Sequence, residues 1–124
     1  MPVRLAITLA ALFLFVAVVA GAFGGHALKS RLAPDLMAIY QTAVQYHFFH
    51  ALGLLAVAVL LALRPDSGAL ITAGWLLVAG LVLFSGSLYA LALTGVRGFG
   101  AVTPVGGAAF LAAWAALAWA GWRW

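Results

Sequence analysis

The chain has 124 residues, 68% of them hydrophobic and 6% charged, with a mean hydropathy of +1.22. A soluble domain carries roughly 45–50% apolar and about 25% charged residues, so a water-soluble globular protein is excluded, and so is a disordered chain, which needs low hydrophobicity and high charge. With no cysteine, and with a net charge of +4 carried by isolated Lys and Arg residues between apolar runs, disulfides, thiolate chemistry and a basic stripe for nucleic acid are excluded as well.

The first apolar run, Leu5 to Phe23, holds no charge and at ~1.5 Å per residue is long enough to cross a ~30 Å hydrocarbon core. It predicts a helix over about 5–25. Arg4, the apolar stretch and Val18-Val19-Ala20 also resemble the three parts of a signal peptide, an alternative that leaves three spans. His26 to Ala33 is the most polar stretch and reads as a short, partly interfacial segment. Pro34 followed by Asp35 marks a helix start, because proline suits the first helical position and a carboxylate suits the positive end. The helix then runs over 34–63, its first two turns, through Tyr40 and Gln41, lying in the interface.

Arg64-Pro65-Asp66-Ser67-Gly68 is a turn with a cap for the next helix. The third run, about 69–94, ends at Gly95-Val96-Arg97-Gly98-Phe99-Gly100. Thr103-Pro104 is a cap-plus-first-turn signature that opens the fourth run, about 104–122. The expected fold is an all-α integral membrane protein, an antiparallel four-helix transmembrane bundle forming one domain over residues 1–124. Trp75, Trp119, Trp122 and Trp124 then fall on one membrane face as an aromatic belt. Four spans place both termini on one side; Arg4, Arg64 and Arg123 balance Lys29, Arg31 and Arg97, and the N-terminal amine tips the count toward cytoplasmic termini.

Antiparallel spans bring four polar or glycine-rich clusters into the same half of the bilayer, away from the termini. They are Gly21, Gly24, Gly25 and His26; Gln41, Thr42, Gln45, Tyr46, His47 and His50; Ser85, Gly86, Ser87, Tyr89 and Thr94; and Thr103, Pro104, Gly106 and Gly107. One explanation is packing: small residues let helices approach in lipid, and Ser, Thr and His hydrogen-bond across the contact. Gly21, Gly24, Gly86, Gly106 and Gly107 are the expected packing glycines. The other explanation is chemistry. His50 lies about seven residues, or ~10 Å, past the entry of the second helix, and an ionisable group at that depth is a functional-site candidate. His26, His50, Ser85, Ser87, Tyr89 and Thr103 form the candidate polar cluster, with His26 and His50 available to a proton or a metal. Closely spaced metal signatures are missing, and no cofactor is expected.

Catalysis finds little support. Both carboxylates are expected in loops, so no acid–base pair forms within the core. Ser85-Gly86-Ser87 is not a nucleophile elbow, which belongs to a strand-to-helix turn, and the glycines at 95, 98 and 100 lack the lysine of a phosphate cradle.

Gly21-Ala22-Phe23-Gly24-Gly25-His26, Gln41-Thr42 through Tyr46 to His50, Leu83-Phe84-Ser85-Gly86-Ser87-Leu88-Tyr89 and Thr103-Pro104-Val105-Gly106-Gly107 occur in that order. Together they resemble the YgdD/YwdK-like family of small membrane proteins, a domain-of-unknown-function family, over nearly the whole chain. The resemblance implies four helices in the bacterial cytoplasmic membrane, with basic C-termini among relatives that agree with cytoplasmic termini. Gly25 stands where that family usually has Ala and His47 where it usually has Gln, so a two-histidine site on the second helix is not implied, whereas His26 and His50 match. The expectation is therefore a non-enzymatic bundle that acts through lipid or through protein partners, a second copy of the chain among them. The alternative is a small transporter or proton/metal-responsive protein built around His26 and His50.

Overall fold

The computed structural model describes residues 1–124 and is helical throughout, with no strand. Four helical spans of 26, 30, 27 and 26 residues have the length and hydropathy to cross a membrane. Helix α1 (Val3–Phe23) continues through a single π turn to Leu28. Helix α2 (Pro34–Leu63) starts at the expected proline, with Asp35 in its first turn. The third span is composite: α3 (Gly68–Gly80), a π turn (Leu81–Ser85) and α4 (Gly86–Thr94). A 3-10 turn (Arg97–Ala101) leads into α5 (Thr103–Trp122).

The turns follow their local chemistry. Ser67 caps α3 by accepting the Leu70 N–H at 3.4 Å, and Gly95 ends α4 at φ 72°, a left-handed conformation that glycine adopts without steric cost. Two expectations need correction. The polar stretch after residue 25 does not leave the helix at once, because the π turn carries helical backbone through Gly24–Leu28. Thr103 is not a cap: it is the first residue of α5, and its side chain makes no capping bond. Its hydroxyl is engaged by another helix instead.

The spans are unequal in role. Helix α2 packs against α1, α3 and α4, while α5 packs along α3 and the second π turn. Accordingly 44% of the most apolar window is buried in each of the second and third spans, against 17% in the first and fourth. The flanking helices turn residues such as Phe15, Val18 and Leu111 outward. In water this would be an aggregation surface; in lipid it is the solvent-facing side, and van der Waals packing with interhelical hydrogen bonds holds the bundle. The main core, including Ala6, Ala10, Leu54, Val57, Leu61, Leu70, Ala73 and Leu77, lies toward the end that holds the termini. A smaller cluster of Leu28, Tyr40 and Ala92 lies at the opposite end.

Candidate functional site

The four buried polar side chains are His47, His50, Ser85 and Ser87, contributed by α2, the second π turn and α4. They form three separate arrangements. In the first, His47 Nδ1 and the Tyr89 hydroxyl share a hydrogen bond of 2.9 Å between α2 and α4. The Tyr89 ring meets Tyr40 edge-on at 5.4 Å, and the Tyr40 hydroxyl donates to the Ala20 carbonyl of α1. Phe13 closes the other side, 6.1 Å from the His47 ring. This chain of contacts ties α1, α2 and α4 together. His47 Nε2 is left buried without a partner.

In the second arrangement, His50 donates from Nδ1 to the Tyr46 carbonyl at 2.7 Å, one turn back on its own helix. That bond places the proton on Nδ1 of the neutral ring and leaves Nε2 as the acceptor. The ring lies flat on Phe110 of α5, with centroids 3.5 Å apart and planes 15° from parallel, and Trp114 stands 5.9 Å away. Because Phe110 is seven residues past Thr103, this sets His50 ~10 Å below the start of α5.

The third arrangement joins α4 to α5. Ser87 donates to the Phe84 carbonyl at 3.0 Å and meets the Thr103 hydroxyl at 2.6 Å. A hydroxyl has one proton to give, so Thr103 is the donor in that pair. Ser85, at the end of the π turn, is 2% exposed and its hydroxyl has no partner.

The six residues singled out in the sequence are thus divided. Ser87 and Thr103 are bonded to each other, and Tyr89 belongs with His47. His50 is enclosed by aromatic rings, Ser85 stands alone, and His26 is exposed on the first π turn. No three His, Asp or Glu side chains are grouped to hold a metal ion; of the two histidines expected to be available to a metal, His26 faces outward and His50 is covered by Phe110. The candidate cluster read from the sequence omits Tyr40, placed in the interface, and His47, a departure from the family pattern, although helical spacing puts both on one face with His50.

Among the packing glycines, Gly24 and Gly106 are close approaches: a Cβ at Gly24 would meet the Tyr40 ring, and one at Gly106 would meet the backbone of Phe84. Gly21 and Gly107 make only ordinary contacts. Gly86 faces open space and is no packing residue; that role falls to Gly80 against Phe110 and Gly53 against Trp114.

The two main clefts open at the ends of the bundle, and His50, Ser85, Ser87 and Thr103 line neither of these. One, of about 570 Å³, lies between Leu63–Ala69 and the end of α5, where Arg64 donates to the Trp124 backbone oxygen at 2.7 Å and covers the Trp124 ring. The other, of about 310 Å³, lies between the end of α1 and the start of α2.

A family model described as a protein of unknown function, DUF423, matches residues 20–107. The chain belongs to the DUF423 family. This DUF423 chain is 47% identical to the membrane protein YwdK of Bacillus subtilis over 108 residues, covering 87% of the chain and 88% of that relative. It is 45% identical to a membrane protein of Staphylococcus haemolyticus, covering 90% of the chain and 89% of the relative. It is 43% identical to the inner membrane protein YgdD of Escherichia coli, covering 90% and 85% respectively. No solved structure matches. The likeness and the four apolar spans together make this DUF423 chain a multi-pass protein of the bacterial inner membrane. The family description carries no enzymatic activity.

Proposed function

We propose that this DUF423 protein is a non-enzymatic membrane bundle that acts through its outer surface, on lipid or on neighbouring membrane proteins, rather than through a site in its interior. The observation that carries this reading is where the interior polar groups spend their bonding capacity. Tyr40, His47, Tyr89, Ser87, Thr103 and His50 bond to one another or to backbone carbonyls, as interhelical polar contacts in lipid do, and of these only Tyr40 borders either main cleft. The two carboxylates also stay out of the core: Asp35 pairs with Arg97 at the exposed surface, and Asp66 lies in the turn before α3.

Two atoms favour a second reading, a small transporter or proton-responsive protein. His47 Nε2 and the Ser85 hydroxyl are buried without partners, and buried groups of this kind mark ion or proton pathways in membrane proteins. Reconstitution separates the two. The protein in vesicles loaded with a pH-sensitive dye is expected to pass protons and divalent metal ions no faster than empty vesicles, and His50→Ala is expected to change nothing. Flux above the empty-vesicle rate that His50→Ala or His47→Leu abolishes at equal incorporation would replace the first reading with the second.

A further inference from the structure

The cleft between α1 and α2 has a composition that an empty crevice in a membrane protein does not need. It is lined by Gly21, Gly24, Gly25, Lys29, Met37, Tyr40, Gln41, Val44 and Gln45. Lys29 stands at the mouth, on the turn after Leu28, and no carboxylate lines the cleft with it; the one ion pair at this end is Arg97 with Asp35. Gln41 and Gln45 follow on α2, one turn and so ~6 Å apart in depth. Both are exposed. The side-chain bonds of this segment run from Tyr40 to Ala20, from Thr42 to Ala38 and from His50 to Tyr46, leaving the two amides free. Between and beside the amides, Val44 and Gly21 make the wall apolar.

A cation, two amides at increasing depth and an apolar wall beside them match the upper part of one molecule, a phospholipid from its phosphate to the start of its acyl chains. At the level of the lipid ester and glycerol groups a free amide finds acceptors in those oxygens, and pairing with them spares it burial without a partner. The uncompensated Lys29 supplies the preference for negative charge.

We propose that this cleft is a binding site for one anionic phospholipid, with the phosphate at Lys29, the glycerol and ester oxygens at Gln41 and Gln45, and the upper acyl chain against Gly21 and Val44. The proposal deepens the reading of a bundle that works through its lipid-facing surface, and it is tested by a measurement independent of flux.

Gly25 gives that measurement its sharpest variant. A Cβ there would meet nothing within 4 Å and Gly25 lines the cleft, so Gly25→Phe adds a large apolar side chain at the cleft without changing the charge. The full chain is purified from membranes into mild detergent, delipidated, exposed to equal amounts of phosphatidylglycerol and phosphatidylethanolamine, and its retained lipid counted by native mass spectrometry.

The wild type is expected to retain one phosphatidylglycerol. Lys29→Gln is expected to lower retention about five-fold, the contribution of one cation at an anionic surface, and Gly25→Phe by at least as much. Arg31→Gln, a charge outside the cleft, is expected to stay near the wild-type value. Gln45→Leu, which keeps charge and size, is expected to follow Gly25→Phe and serves if that variant does not fold. Retention of both lipids alike, an Arg31→Gln loss equal to that of Lys29→Gln, or a change in oligomeric state in place of lipid loss would overturn the proposal. Flux without loss of lipid selectivity would overturn the preceding reading and leave this one standing.

Discussion

Gly106 of α5 lies so close to Phe84 that a Cβ on it would stand 2.3 Å from the Phe84 nitrogen and 2.7 Å from its Cα. The obstacle is backbone, which cannot rotate away as a side chain can. Gly106→Ala is therefore expected to push α5 off the third span and to destabilise the bundle by ~2–3 kcal/mol, the upper part of the usual range for overpacking. Gly86→Ala has no such obstacle and is expected to be neutral or to gain up to ~1 kcal/mol from helix propensity. Reversible unfolding in mixed micelles measures both, and equal effects at the two glycines would show that close approach is not what holds α5.

The Ser87–Thr103 bond is the polar counterpart of that contact, joining the same two spans nearer the membrane surface. A double-mutant cycle of Ser87→Ala and Thr103→Val is expected to yield a coupling of ~0.6–1.7 kcal/mol, as for other interhelical hydrogen bonds in lipid. Additive single effects would mean that each hydroxyl is satisfied as well by its own helix.

The architecture was legible because it rests on the solvent. Apolar runs of spanning length, Pro34 at a helix start and the Arg64–Gly68 turn need no tertiary information, and all three stand where they were expected. The site was legible only in part. Residue spacing showed which side chains share a face of α2, yet His47 and His50, three residues apart, face different neighbours: Tyr89 for one and Phe110 for the other. Which neighbour each meets depends on helix rotation, and the π turns that shift it are weakly marked in the sequence: Gly24–Leu28 opens on two glycines, whereas Leu81–Ser85 carries neither glycine nor proline. Gly86 misled for the same reason, since a small residue signals close packing only when it faces another helix.

Tyr89 and His47 form the main polar link between α2 and α4. Tyr89→Phe removes one partner and leaves the buried His47 Nδ1 unsatisfied, a loss expected to cost ~1–3 kcal/mol. His47→Gln retains a group able to bond Tyr89 and is expected to cost less than Tyr89→Phe. The same unfolding titration checks the order of the two, and a His47→Gln variant weaker than Tyr89→Phe would contradict this role for the bond.

Asp35 and Arg97 make a 2.6 Å ion pair with 59% and 66% of the two side chains exposed. Exposed pairs contribute little and are screened by salt. Asp35→Asn is expected to leave the unfolding midpoint unchanged at both low and high ionic strength, in contrast to the buried contacts above. A midpoint shift comparable to that of Tyr89→Phe would show the loop-side pair to be structural.

The π turn at Leu81–Ser85 inserts one residue relative to an unbroken α-helix, which turns everything beyond it by about 100°. It acts as a phase shifter within a single membrane crossing: α3 addresses α5, and α4 addresses α2. Excising a single residue from this segment would rewind the crossing to a uniform helix and swing Ser87 and Tyr89 away from Thr103 and His47. In this protein the length of that five-residue stretch is constrained as tightly as the identity of any side chain it carries.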